Sequence, residues 1–117
     1  MLILKKSIKK IQIAKRVVLR RNTFSQGIGL MFHKKIVDEA HIFIFDKERN
    51  IPVTMFFVFF PIDILFLDKN KKVVELKENF KPFTNYYPKN IAKYLIELPA
   101  GTIKKYKIAI NDKLIFL

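Results

Sequence analysis

Apolar residues along this chain gather into short runs broken by polar, proline-bearing or asparagine-rich positions, the spacing of short strands. The longest apolar stretch, TMFFVFFPIDILFLD at residues 54–68, decides between a membrane span, a helix and a core strand. A spanning helix needs roughly 20 consecutive apolar residues, whereas residues 51–67 contain Pro52, Thr54, Pro61 and Asp63. Pro61 has no N–H and disfavours helical geometry at Phe60, while Phe, Val and Ile pack well on a pleated surface. The stretch therefore predicts buried strand: one piece ending near Phe59 and a second over residues 62–67, with Pro61 at a bend or an unpaired ladder position.

Shorter apolar runs on either side carry comparable signals. KIQIAKRVVLR at residues 10–20 carries Ile11, Ile13, Val17 and Val18 and predicts an early strand, with an amphipathic helix as the alternative. In TFSQGIGLMF, Thr23 and Gln26 have capping-box spacing, but Gly27 and Gly29 follow at once, so a short helix or turn is expected. HIFIF (41–45) and VTMFFVF (53–59) flank the polar DKERNIP as a strand pair joined by a loop, and IDILFL, DKNK and KVVELK make a hairpin. Pro82, Pro88 and three Asn interrupt ENFKPFTNYYPKN, whose four aromatics predict a loop that packs down. AKYLIEL is a strand with Ala92, Tyr94, Ile96 and Leu98 on one face and Lys93, Leu95 and Glu97 on the other. Pro99 ends it, Thr102 can cap a helical turn, and Asn111-Asp112 turns the chain into a closing strand. The fold class expected is mainly β with short helices, a single domain with a barrel-like or sandwich-like sheet, because a flat sheet leaves exposed edges.

Composition adds three constraints. A chain of 117 residues, half of them hydrophobic, suits one compact domain. Cysteine is absent, which excludes disulfides and thiolate chemistry. The opening MLILKKSIKK has only four apolar residues before Lys5, far short of a signal-peptide core, so a cytoplasmic location is expected. Charge is uneven: residues 1–22 hold Lys5, Lys6, Lys9, Lys10, Lys15, Arg16, Arg20 and Arg21 and no acid, +8 of the net +13. This basic segment, read as part of the domain that continues over residues 23–117, is a candidate surface for an anionic partner such as nucleic acid. Yet only four of the 23 basic residues are Arg, the residue suited to bidentate phosphate or base recognition. Lysine enrichment also describes a solvated surface under heat selection.

Taken in order, several segments resemble the DUF192 family, also called UPF0127. They are Gly29-Leu30-Met31, Ile42-Phe43 with Ile44-Phe45, Met55, Pro61-Ile62-Asp63, Phe66-Leu67-Asp68, Ile96-Glu97-Leu98-Pro99-Ala100-Gly101 and Asp112. The resemblance spans residues 29–117 and implies a small, mainly β fold with short helices and no established activity. Two departures stand out. The chain has Phe56-Phe57-Val58 where the family commonly shows a polar Lys-Asn-Thr, and Ala40-His41 where it commonly shows Gly-Met.

For chemistry the inventory is thin. His33 and His41 lack metal-ligand spacing, and no phosphate loop or nucleophile elbow is present. No cofactor and no metal are expected. Met31 and Met55, with His41, could serve as soft copper ligands, but methionine is more often core filling. Asp112 reads as a turn residue. Asp63 and Glu97 are the carboxylates of interest, because each interrupts an apolar strand and a buried charge is costly unless satisfied. The structural reading gives Asp63 backbone N–H donors at the bend after Pro61 and gives Glu97 a lysine partner. The functional reading makes Asp63, Glu97 and His41 a ligand site in a non-enzymatic binding domain for a ligand or protein partner. The alternatives are a nucleic-acid binder, with Tyr86 and Tyr87 exposed for stacking beside a basic stripe, and a hydrolase using two carboxylates.

Overall fold

The computed structural model describes residues 1–20, 38–56 and 58–116. In chain order its elements are β1 (Leu2–Lys6), β2 (Lys9–Ala14), β3 (Arg16–Arg20), β4 (Glu39–Arg49), β5 (Val53–Thr54), β6 (Ile62–Leu67), β7 (Val73–Phe80), β8 (Asn85–Tyr86), β9 (Ala92–Pro99), α1 (Thr102–Tyr106) and β10 (Lys113–Ile115). The central sheet has the order β3-β4-β9-β6-β7, with β3 parallel to β4 and the other pairs antiparallel. A smaller sheet runs β10-β1-β2, and β5 pairs with β8 in a two-stranded ribbon.

IDILFL explains the layering. All six residues of β6 are buried, so the strand is apolar without alternation because both of its faces are covered. Leu65 and Leu67 join Ile42, Ile96 and Leu98 on the first face, under Leu2, Leu4, Ile13 and Leu114 of the small sheet and Ile103 of α1. Ile62, Ile64 and Phe66 join Phe43 and Leu95 on the second face, under Ile51, Val53, Met55, Val58, Phe60 and Phe80. The basic N-terminal strands thus contribute to the same core as the central sheet.

The mainly β architecture and layered packing agree with expectation, but among the described residues the sheets are open and do not close into a barrel. Between the start of β7 and β10 the described residues show one isolated bridge, Lys72↔Lys113, with flanking bonds from the Leu114 N–H to the Lys71 carbonyl (3.0 Å) and from the Val73 N–H to the Asp112 carbonyl (2.9 Å), and no strand ladder joins the two sheets there. The edge at β7 is blunted differently, by the chain at Lys89 and Asn90 folding onto Glu75. The single strand expected at residues 10–20 is two, β2 and β3, broken at Lys15, and the basic segment before it contributes a further strand, β1.

The stretch at residues 53–59 departs most. Among its described residues Val53–Thr54 alone is strand, pairing with β8 and not with β4. Beyond it the Met55 carbonyl accepts from the N–H of Val58 (3.1 Å) and of Phe83 (2.9 Å), which turns the chain. Phe56 and Phe59 consequently stand 53% and 63% exposed, packed edge-on against the Phe83 ring. α1 is the expected helical turn, but its N-cap is Gly101, at φ 93, and the Thr102 hydroxyl donates back to the Pro99 carbonyl (2.6 Å). The turn expected at Thr23–Gln26, and with it Met31 and His33, lies outside the described residues.

Two phenylalanines of similar sequence context test this layering. Phe66→Ala, in the fully buried second-face core, should cost about 3–5 kcal/mol in urea unfolding, whereas Phe59→Ala should stay within about 0.5 kcal/mol of the parent. Equal losses would place Phe59 back in the core.

Candidate functional site

Strand alternation first separates the two carboxylates that sequence reasoning grouped. β6 and β9 pair with Asp63 opposite Leu98 and Ile64 opposite Glu97. Directly opposed residues share a face, so Asp63 points to the first face and Glu97 to the second. They do not form one pocket.

Asp63 is fully buried and held by backbone. Its Oδ1 accepts from the Asn79 N–H (2.8 Å), and its Oδ2 accepts from the N–H groups of Gly101 (3.1 Å) and Ile103 (2.8 Å). The donors come from the end of β7 and the start of α1 rather than from the bend after Pro61. This carboxylate joins two of the resembling motifs, Pro61-Ile62-Asp63 and the Leu98-Pro99-Ala100-Gly101 stretch, and its oxygens are occupied by the fold.

Glu97 stands in a row that crosses the whole central sheet: Val18, His41, Glu97, Ile64 and Lys77 are successive register partners. The expected lysine partner is absent from the adjacent positions, since Lys77 is two strands away, about 10 Å at ordinary strand spacing, with Ile64 between. The positive charge that acts on Glu97 is Arg20 of β3. Burial pushes the Glu97 carboxyl up to about 8 against the opposing pull of that guanidinium. Its Oε1 is buried without a hydrogen-bond partner among the described residues. His41, itself buried, contacts Glu39 Oε1 through Nε2 (2.8 Å), and the other Glu39 oxygen pairs with Arg16 Nη2 (3.0 Å). The fold therefore brings His41, Glu97, Arg20, Glu39 and Arg16 to one end of the second face, with an imidazole and a protonatable carboxyl side by side.

A third carboxylate escaped the sequence reading. Glu75 of β7 accepts from the Tyr86 hydroxyl, the Lys89 N–H (3.0 Å), the Asn90 N–H (3.0 Å) and Asn90 Nδ2 (2.9 Å). Burial works to raise its pKa, but these donors prevail and hold it below the ordinary value. Tyr86 is pushed up to about 12 by burial and by the Glu75 carboxylate, and its ring packs near Phe66 and Phe80. Tyr86 is thus an anchor of the loop, not a stacking platform. The sequence signal was an acid inside the apolar run VVELK, as Asp63 is an acid inside IDILFL.

The basic residues also divide. Lys5 and Lys10 are cross-strand partners in the small sheet, and Lys6 pairs with Asp112 (2.7 Å). Lys9 is exposed near the hairpin turn, and Lys15 follows β2. Arg16 and Arg20 belong to the central sheet, and Arg21 lies outside the described residues. The described bases are thus divided between the small sheet and the central sheet, while Tyr86 belongs to the β5–β8 ribbon.

A DUF192 family model, described as Uncharacterized ACR, matches residues 4–116. The chain belongs to the DUF192 family. Among DUF192 relatives, a UPF0127 protein of Thermococcus sibiricus is 38% identical over 101 residues, covering 85% of this chain and 64% of that protein. A UPF0127 protein of Pyrococcus furiosus is 34% identical over 93 residues, covering 80% and 79%. The chain thus spans less than two thirds of the Thermococcus sibiricus relative's length. Two solved structures share the DUF192 fold. A Sinorhizobium meliloti protein labelled "putative transcription regulator" superposes with a TM-score of 0.86 at 22% identity, covering 97% of this chain and 90% of that one. A Novosphingobium aromaticivorans protein of unknown function gives 0.87 at 20%, covering 98% and 83%.

Asp63→Asn tests the placement of that carboxylate. The amide keeps one acceptor but sets an NH2 group against backbone N–H donors, so stability should fall by about 1–3 kcal/mol in a urea melt. A variant as stable as the parent would mean that Asp63 is not held by Asn79, Gly101 and Ile103.

Proposed function

We propose that the protein is a small non-enzymatic binding domain whose ligand is held on the second face of the central sheet, against the Glu97 carboxyl and beside His41. The observation that carries this reading is Glu97 Oε1, buried and without a hydrogen-bond partner among the described residues. A buried polar atom left unsatisfied costs roughly 1–3 kcal/mol, and a ligand that hydrogen-bonds to it offsets that cost. An ionisable group this far from its ordinary value, next to a histidine and a guanidinium on a rigid strand, is the kind of group that marks a binding site. With its pKa about 8, the carboxyl is mostly protonated at neutral pH, so it both donates and accepts. The ligand is accordingly a small polar molecule, or an amide of a partner protein, able to do the reverse.

The hydrolase alternative requires two acids facing each other across one cleft. Asp63 and Glu97 lie on opposite faces of the sheet and do not make such a pair. Native mass spectrometry of the full chain purified without denaturation should show a bound small molecule in the parent and loss of it in Glu97→Gln. A bare parent chain that also gives no thermal shift with a library of small polar ligands overturns the reading.

The same carboxyl predicts a pH dependence. Its pKa in the folded protein is raised above the value of about 4.5 in the unfolded chain, so the folded state binds more protons between those values. The stability it contributes is complete below about pH 4.5 and is lost as pH rises through about 8. Stability of the parent should decline by on the order of 3 kcal/mol between pH 5 and 9, and Glu97→Gln should abolish most of that decline. A parent and variant with parallel pH profiles would place the Glu97 carboxyl in contact with water.

A further inference from the structure

We propose that the outer face of the small sheet docks the protein on an anionic lipid surface, with a row of lysines facing the headgroups and Ile8 and Ile110 entering between them. The proposal goes beyond the Glu97 site and does not depend on it. Its first support is register. Lys10 lies opposite Lys5, Lys5 opposite Lys113, and Lys113 opposite Lys72, so four lysines stand side by side across β2, β1, β10 and the residue before β7. Their neighbours Leu4 and Leu114 are buried in the core, which turns the lysines outward. At ordinary strand spacing the row is about 14 Å long.

Like charges placed directly opposite one another destabilise a sheet. Folding therefore gains nothing from this row, and a negatively charged surface relieves it. The second support is what stands at the same end of the sheet. Ile8, in the β1–β2 turn, is 94% exposed, and Ile110, in the turn before β10, is 50% exposed. The ion pair Lys6–Asp112 (2.7 Å) ties those two turns together. Hydrogen bonds from the Ala109 N–H to Asp112 Oδ2 (2.8 Å) and from the Asn111 N–H to the Val73 carbonyl (2.8 Å) fix the second turn. Aliphatic side chains on rigid turns beside a lysine row match the chemistry of a bilayer surface, where apolar tips and headgroup charge act together. Nucleic acid fits less well, because a strand is gripped by rings that stack on bases, and isoleucine offers none.

The test is cosedimentation of the full chain with phosphatidylcholine vesicles prepared with and without phosphatidylglycerol. The expected result is binding to the phosphatidylglycerol vesicles alone, released by salt. Lys5→Gln and Lys113→Gln, which ease the charge crowding and so keep the fold, should each weaken binding about fivefold. Ile8→Ser, at a turn tip outside the core, should weaken it about tenfold with an unchanged thermal melt. Equal recovery with both vesicle types, no recovery with either, or Ile8→Ser binding like the parent overturns the proposal. So does tight binding of duplex DNA with a log–log salt slope of about −4 that Ile8→Ser leaves untouched.

Discussion

The Asp63 carboxylate is the interaction on which the arrangement of the first face depends. Burying a charge completely is costly unless donors surround it, and here three backbone N–H groups do so. Two of those donors sit in backbone that would be awkward elsewhere: Asn79 has φ 48 and Gly101 has φ 93. The left-handed residue at Asn79 accompanies the register shift between β6 and β7, and the one at Gly101 lets the chain leave β9 and begin α1. One side chain on the middle of three strands thus holds the irregular end of each neighbour. Ile103, whose N–H reaches Asp63, also packs into the first-face core, so the hydrogen bond and the apolar contact place the same turn.

Glu75 and Glu97 show why burial alone decides little. Both are glutamates on strands of the central sheet, both are shielded from water, and their pKa values move in opposite directions. Glu75 accepts from four donors, which favour the charged form more than desolvation disfavours it. Glu97 has the charge of Arg20 nearby but no donor on Oε1 among the described residues, and desolvation wins. Stability from Glu75 is present above its unfolded value and lost as pH falls, the reverse of the sign for Glu97. The first carboxylate pins a loop against the β7 edge, and the second leaves an open hydrogen-bonding position in the sheet.

How much of this was legible in the sequence follows from the range of the contacts. The β6–β7 hairpin was readable because its turn and both strands are contiguous, and β9 because Pro99 marks its end. Asp63 was readable as a residue needing partners, since it interrupts an apolar run. The partners were not readable, because Asn79 and Gly101 are 16 and 38 residues away in sequence. Residues 53–59 were misread for a different reason: a run of phenylalanines carries no period, and the Met55 carbonyl turns the chain so that Phe56 and Phe59 face outward. Glu97 was legible as an acid inside an apolar strand but not its separation from Asp63, because which face a strand residue takes relative to a neighbouring strand depends on register. Glu75 gave the same local signal as Asp63, and only the position of Tyr86 and Asn90 reveals its task.

The charge of the chain illustrates the same limit from the opposite side. Counting along the sequence places the excess in residues 1–22, yet folding distributes those bases among unrelated tasks. Lys6 holds Asp112, Arg16 holds Glu39, and Arg20 acts on Glu97. The lysines that do come together, at positions 5, 10, 72 and 113, are drawn from three separate parts of the sequence. Each stands in a strand or next to one whose alternate residues fill the core, so the apolar pattern that builds the small sheet also fixes where its charges point. Leu4 and Leu114 cannot reach the core without turning Lys5 and Lys113 to the outside. The surface charge pattern is therefore a consequence of core register, and a shift of β1 by one residue would bury Lys5 and expose Leu2 and Leu4 together.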